Sequence, residues 1–367
     1  VAAILIAVFV HWRVVSGGME SEWAAKGRRR EWLRAWRWLG AVWVTLGILF
    51  GIGQIGTLLG YSLWREWVRG LAVVYGIGLA GAYLLTWMLR PAARFDPGKR
   101  AALAAAVPVA VCGYGVFVER NRYQARQVDI PVPGLAKDLD GLRIAQLTDI
   151  HYGAYLGKAE LERAVAMANE WRAHVAVVTG DLISIRRDPV AECLRLLPAL
   201  RAEAGVYGCL GNHEIIAGCE EFAEREGARL GLRFLRGRAE ELRFGRAALN
   251  LAGVDYQRMQ SPYLEGAGEM VRKDALNVLL SHNPDVFPVA AAQGWQVTLA
   301  GHTHGGQVNV ELLGSQYNVM RFFTPYVYGL YREGTSSIYV SRGLGTVGAP
   351  IRLGAPPEVN LIRLCAT

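Results

Sequence analysis

Cysteine is scarce and scattered in this chain. The five residues, Cys112, Cys193, Cys209, Cys219 and Cys365, form no C-x-x-C pair. Such an odd, dispersed set argues against a disulfide framework and a zinc–cysteine site, and reads as small buried hydrophobes. Repeats and low-complexity tracts are also absent. Histidine is sparse, with seven in 367 residues. Acidic residues run short in one region: residues 1–126 hold 16 Lys and Arg but 6 Asp and Glu, whereas the remainder holds 24 against 26. The basic excess of the whole chain, +8, therefore lies in its first third. A nucleic-acid enzyme would more often carry it on the catalytic part, so no long nucleic acid is expected as a partner.

What the first third has instead is uncharged length. Trp38–Trp64, Gly70–Leu89 and Ala101–Val118 each meet or nearly meet the ~20 residues that cross a bilayer core as a helix. Ala101–Val118 is the shortest, rich in Ala and interrupted by Pro108. Val1–Val10 reads as a truncated first segment. Nine of the eleven Trp precede residue 90, many at the ends of these runs, where amphipathic rings favour the headgroup level. The expectation is an all-α transmembrane region of about four segments over residues 1–126, with the lipid bilayer as partner and a multi-pass place in the cell membrane. Successive loops carry seven, two and four Lys and Arg, so the first and third are expected on the cytoplasmic side. The rest of the chain then lies outside the cytoplasm if Ala101–Val118 spans, and inside if that run only lies in the interface.

Residues 127–141, "QVDIPVPGLAKDLDG", have the turn formers and charges of a linker. From 142 to 367, short β-branched runs alternate with helical stretches, the pattern of an α/β domain with stacked sheets and outer helices. Strands are expected at Leu142–Thr148, Val175–Thr179, Val206–Leu210, Leu249–Val254, Asn277–Leu280 and Val297–Ala300. Helices are expected at Lys158–Arg172, Val190–Ala202 and Glu220–Glu226.

Polar residues gather where these strands end. The ends read "TDIHYG" with Asp149 and His151, "TGDLI" with Asp181, "LGNHE" with Asn212 and His213, "LLSHNPD" with His282, and "LAGHTHGG" with His302 and His304. Sites in α/β folds collect at the carboxyl ends of strands. Residues i and i+2 of an extended segment point to one side, so Asp149/His151 and His302/His304 each aim two donors at one volume. Imidazole, carboxylate and amide donors without thiolate suit Mn, Fe or Zn. Seven donors are too many for one ion and suit two divalent metal ions. His11 and His174, away from these motifs, read as structural.

In this order, "D-x-H", "GD", "GNHE", "SH" and "GHTH" resemble the calcineurin-like metallophosphoesterase superfamily, from about Leu142 to the C-terminus. "GHTHGGQ", "GLYREG" at Gly329–Gly334 and "SRGLGT" at Ser341–Thr346 resemble its membrane-anchored bacterial branch, although Val347 stands where an aromatic residue is common. The resemblance implies a four-layer αββα sandwich. It implies Asp149, His151 and His304 at one metal, Asn212, His282 and His302 at a second, and Asp181 bridging them. His213 is then the catalytic histidine that protonates or hydrogen-bonds the leaving oxygen. Glu214 either orients His213 or serves the helix start. The activity implied is hydrolysis of a phosphodiester or pyrophosphate. A lipid-linked substrate fits the membrane region, UDP-diacylglucosamine being one such substrate in the family, though its cleavage is cytoplasmic. An extracytoplasmic phosphodiesterase acting on nucleotides or other soluble phosphoesters is the alternative, and a scaffold without chemistry would be expected to lose ligands. "MRFFTPYVYGLY", Met320–Tyr331, offers aromatics and Arg321 to an acyl chain or headgroup, an aromatic core turn being the plainer reading.

Overall fold

Near-continuous apolar runs form strands covered on both faces, and here they build two six-stranded sheets. The computed structural model describes residues 97–257, 262–312 and 315–367, with isolated positions between Glu66 and Gly81. The chain divides into two compact units, Val1–Gly113 and Tyr114–Thr367.

In the second unit, the first sheet comprises β1 (Gln124–Val132), β2 (Arg143–Leu147), β3 (Val175–Thr179), β4 (Val206–Cys209), β5 (Leu232–Phe234) and β14 (Glu358–Ala366), in the order β1-β14-β2-β3-β4-β5. The second comprises β6 (Arg238–Phe244), β7 (Ala247–Gly253), β8 (Leu276–Leu280), β9 (Val297–Ala300), β12 (Gly329–Glu333) and β13 (Ser336–Val340), in the order β12-β13-β9-β8-β7-β6. A small hairpin, β10 (Val310–Leu312) with β11 (Ser315–Tyr317), stands apart from both.

Alternation along the strands divides the core into layers. Ile144, Val175, Val177 and Cys209 of the first sheet pack with Leu249, Val278, Leu280, Val297 and Leu299 of the second. The opposite face of the first sheet, with Leu147, Ala176 and Val178, is covered by α2 (Lys158–Glu170) through Leu161 and Val165 and by α3 (Val190–Leu196) through Cys193 and Leu194. On the far side of the second sheet, Leu279 and Ala252 meet Ala290 of α5 (Phe287–Gln293) and the fully buried Trp295. The result is the expected helix–sheet–sheet–helix stack. Each buried Leu, Ile or Val between the sheets is worth roughly 1.5–3 kcal/mol.

Two expectations are corrected. The stretch 127–141, read as a linker, supplies most of β1, which pairs in parallel with β14 along its whole length. Its Pro131 and polar residues suit the edge of the sheet, where one side needs no partner strand. The helix expected at Val190–Ala202 stops at Leu196 and passes into a short 3-10 turn, Leu197–Ala199, with Pro198 at its start. Ala101–Val118, read as a span, does lie in a helix, α1 (Pro97–Phe117), but among the described residues no helix is long and apolar enough to cross a membrane. The runs Val1–Val10 and Trp38–Trp64 lie outside the described residues, as does most of Gly70–Leu89.

Candidate metal centre

Strands β2, β3 and β4 run parallel as neighbours, and so do β8 and β9. Their five carboxyl ends therefore open on one edge, and the two sheets meet there through side chains. Gln146 Nε2 donates to Thr179 Oγ1 at 2.9 Å and to Ala300 O at 3.1 Å, joining β2 to β3 and across to β9.

The ligand candidates converge on that edge, though not by the route expected. Asp149, His151, Asp181, His302 and His304 all have positive φ, between 49° and 74°. Left-handed backbone is costly for side chains other than Gly, and such residues cluster where function demands a special aim. The i, i+2 pairs thus reach a common volume through left-handed turns, not as alternating positions of extended chain. Asp149, His151 and His304 offer ligand atoms within 4.8 Å of one another, and so do His151, Asp181 and His213, and Asp181, His282 and His302.

Asp181 is common to two of these groups. Its Oδ1 accepts the His213 backbone N–H at 3.0 Å. Its Oδ2 faces His282 Nε2 at 3.0 Å, His151 Nε2 at 3.5 Å and His213 Nε2 at 4.0 Å. Asp149 accepts the His302 N–H at 3.0 Å and the Thr148 hydroxyl at 2.9 Å, and its Oδ1 lies 3.4 Å from His304 Nε2. His151 Nε2 and His304 Nε2 are 3.1 Å apart. The rings are oriented from behind: His282 Nδ1 by Thr179 O at 2.7 Å, His213 Nδ1 by Ser184 O at 2.6 Å, and His151 Nδ1 by Ser184 Oγ at 3.0 Å. Partners of this kind fix which ring nitrogen faces an ion.

Asn212 opens α4 (Asn212–Ala217). The preceding residue is Gly211, where any Cβ would overlap the Asp181 carboxylate. Gly180 has φ +93°, and a Cβ there would lie 2.7 Å from both Gly211 N and His282 Nδ1. Glu214 does not orient the His213 ring. Its buried carboxylate takes the Gly211 and Leu182 N–H groups at 2.7 Å and that of Asp181 at 3.0 Å, so it stitches the helix start to the Asp181 loop.

Burial sets the charges. It lowers His151 to about 3 and His302 to about 4, and pushes His304 well below its ordinary value, leaving neutral imidazoles such as ligands require. Burial also raises Asp149 to about 6 and Glu214 to about 7. At Asp181 burial works the same way, but the facing imidazoles, His282 first, outweigh it and hold the carboxylate ionised. His282 is pushed up to about 10, because its carboxylate neighbours overcome desolvation.

These residues fit divalent cations. Asn212 Oδ1 is buried without a hydrogen-bond partner. An orphaned buried acceptor costs about 1–3 kcal/mol, which a cation removes. The donor set is nitrogen and oxygen throughout, and no cysteine belongs to the three groups of converging ligand atoms among the described residues.

Residues 142–306 match the calcineurin-like phosphoesterase family. Over these residues the chain has a domain of the calcineurin-like metallophosphoesterase superfamily. A transmembrane protein with metallophosphoesterase domain from Danio rerio is 29% identical over 281 residues, covering 72% of this chain and 63% of that protein. A metallophosphoesterase of Bacillus subtilis, YkuE, is 27% identical over 75% of this chain and 97% of its own length. Phosphodiesterase YaeI of Escherichia coli is 27% identical over 60% of this chain and 82% of its own. The match thus spans less than two thirds of the Danio rerio protein. Among solved structures, the NAD nucleotidase of Haemophilus influenzae is a distant likeness, with 13% identity and a TM-score of 0.39 over 55% of this chain and 45% of that one.

Several residues of the metallophosphoesterase site carry no signal in the sequence. Tyr256 lies 5.3 Å from the His302 ring and 6.1 Å from His282, centroid to centroid. Arg352 is fully buried, donates to Gly345 O and Ala355 O, and brings Nη2 within 3.4 Å of His304 Nδ1. Only "SRGLGT" hinted at this wall: Gly345 N donates to Asp149 O at 2.7 Å. Val347 stands at the rim, its N–H held by Gln307 Oε1 at 2.9 Å. His174 sits away from the site, accepting the Arg143 N–H at 2.9 Å, and His11 lies outside the described residues.

Proposed function

We propose that this metallophosphoesterase hydrolyses a phosphodiester or pyrophosphate bond in a lipid-linked substrate, working from a membrane. The reaction class rests on one observation above all: three imidazole nitrogens converge on Asp181 Oδ2, with Asp149 and His304 beside them. Asp149, His151 and His304 hold one divalent ion, Asn212, His282 and His302 hold a second, and Asp181 serves both. Mn, Fe and Zn all suit these donors. When bound, such ions lower the pKa of water and offset charge on phosphoryl oxygens.

The chain's own residues do the positioning and the proton transfer. Asn212 stabilises charge on a phosphoryl oxygen. His213 gives Nδ1–H to Ser184 O, which turns its Nε2 toward Asp181. Its side chain keeps 16% exposure, so a leaving group can reach it. From there Nε2–H protonates the leaving oxygen.

The lipid-linked reading is supported by the uncharged runs and Trp clustering of the first third, and by the Danio rerio relative's name as a transmembrane protein. UDP-diacylglucosamine is one substrate of suitable chemistry, and the domain would then face the cytoplasm. A second reading, phosphodiesterase action on nucleotides or other soluble esters outside the cytoplasm, is favoured by the loop charges and by the Escherichia coli relative's name. The test is hydrolysis by the full chain with added Mn, on bis-p-nitrophenyl phosphate and on a membrane lipid extract. Phosphate-bond cleavage in the lipid extract supports the first reading, turnover of soluble diesters alone supports the second, and no turnover of either removes both. A reporter fused after Arg126 gives the side of the membrane.

A further inference from the structure

The segment that follows the metal-site loop neither fills the core nor hides its apolar side chains. In the hairpin, Val310 pairs with Tyr317 and Glu311 with Gln316. Side chains alternate across a strand, so Val310 and Tyr317 share one face and Glu311 takes the other. Val310 and Tyr317 are both exposed. The next turn, Val319–Phe322, continues the pattern: Val319 is exposed, Phe322 is 88% exposed and Phe323 61%. Arg321 stands exposed among them, and from Ser315 to Tyr331 it is the single charged side chain.

These side chains are held outward by a satisfied polar frame. Asn318 Oδ1 accepts the Arg321 N–H at 3.2 Å, and its Nδ2 donates to Asn309 Oδ1 at 3.0 Å. Thr324 N donates to Met320 O at 3.0 Å, while the Thr324 hydroxyl donates to Asp285 at 2.5 Å. The frame is bolted to the loop of His302 and His304 at both ends. Asn318 lies so close over Gly306 that a Cβ there would come within 2.5 Å of it, and the Thr303 hydroxyl donates to Val327 O at 2.5 Å. Displaying two adjacent phenylalanines in water has no stability benefit for the fold. Exposed apolar residues grouped with a cation mark interaction surfaces.

The geometry points to this lip, Val310, Tyr317, Val319, Phe322 and Phe323 with Arg321, as a lipid-surface docking element that seats the metal-site mouth against a bilayer. The rings enter the acyl boundary and the guanidinium meets an anionic headgroup, the division of labour of interfacial segments. A lipid surface is favoured over a protein partner because the lip belongs to a chain whose first third is rich in uncharged runs and Trp. The inference rests on the membrane reading above and adds where the domain touches the lipid.

The test uses the full chain reconstituted in vesicles of phosphatidylethanolamine and phosphatidylglycerol. Phe322→p-benzoylphenylalanine is photolysed and the adducts are read by mass spectrometry, with Arg246→p-benzoylphenylalanine, exposed on the β6–β7 turn, as control. Lipid adducts at 322 but not at 246 are expected. Adducts to peptides of a second copy, equal labelling at 246, or no adduct would overturn the assignment. A second measurement compares the Phe322→Ser, Phe323→Ser double variant with the native chain. Turnover of a vesicle-borne phosphodiester should fall by about tenfold per phenylalanine, from the lost transfer free energy, while bis-p-nitrophenyl phosphate is cleaved as before. Unchanged vesicle turnover, or equal loss on the soluble ester, counts against docking. If the native chain cleaves neither substrate, the phosphoesterase reading fails while the adducts still decide the lip.

Discussion

Asp181 gives one carboxylate oxygen to the His213 N–H and leaves the other facing three imidazoles. Asp181→Asn exchanges that oxygen for an uncharged group, and bound metal measured by elemental analysis should fall to background together with turnover. His213→Gln behaves differently if the ring acts as an acid. Metal content should stay at the native level while kcat drops by ~10²–10⁴-fold, and near-native kcat would remove His213 from the mechanism. His174 has its own pH signature away from the centre. Burial first, then the neighbouring Arg143, lowers its pKa from 6.5. The unfolded chain therefore binds the extra proton more readily. Its contribution is full above pH 6.5 and is lost as pH falls below that value. The urea midpoint of the native chain should drop more than that of His174→Gln between about pH 7.5 and about pH 5. At this scale the sequence shows which residues gather, since Asp, Asn and His stand out after apolar runs. It does not show that five of them adopt left-handed backbone, which Asp and His enter more readily than most residues but only in a minority of places.

Elements carry these residues to one edge because β2, β3 and β4, and separately β8 and β9, run parallel. Six strands were legible: their apolar runs lie within a residue or two of the observed bounds. The others were not, including the fully buried β13. β1 carries Gln, Arg and Pro131 at a half-exposed edge, so its pattern reads as linker, and its partner β14 is supplied from the far end of the chain. The short α4 depends on Glu214 more than on its own length. Glu214→Gln keeps the shape but replaces one acceptor oxygen by a donor amide facing a backbone N–H. The loss should be roughly 1–3 kcal/mol in denaturant unfolding, accompanied by weaker metal retention as the Asp181 loop loosens. A stability equal to the native chain's would show that the stitch is dispensable.

For the whole molecule, the two sheets and their flanking helices were legible from the alternation of β and α patterns, and the superfamily from five motifs in order. Membrane association remains a proposal built on residues 1–126 and on the exposed lip, and the photolysis experiment addresses it independently of catalysis. The central claim is that one edge of this fold gathers two divalent cations around a shared carboxylate. Anomalous X-ray diffraction from crystals of the full chain soaked in Mn tests it most directly. The account predicts two peaks astride Asp181, one among Asp149, His151 and His304 and the other among Asn212, His282 and His302. A single peak, or none at this edge, would contradict it.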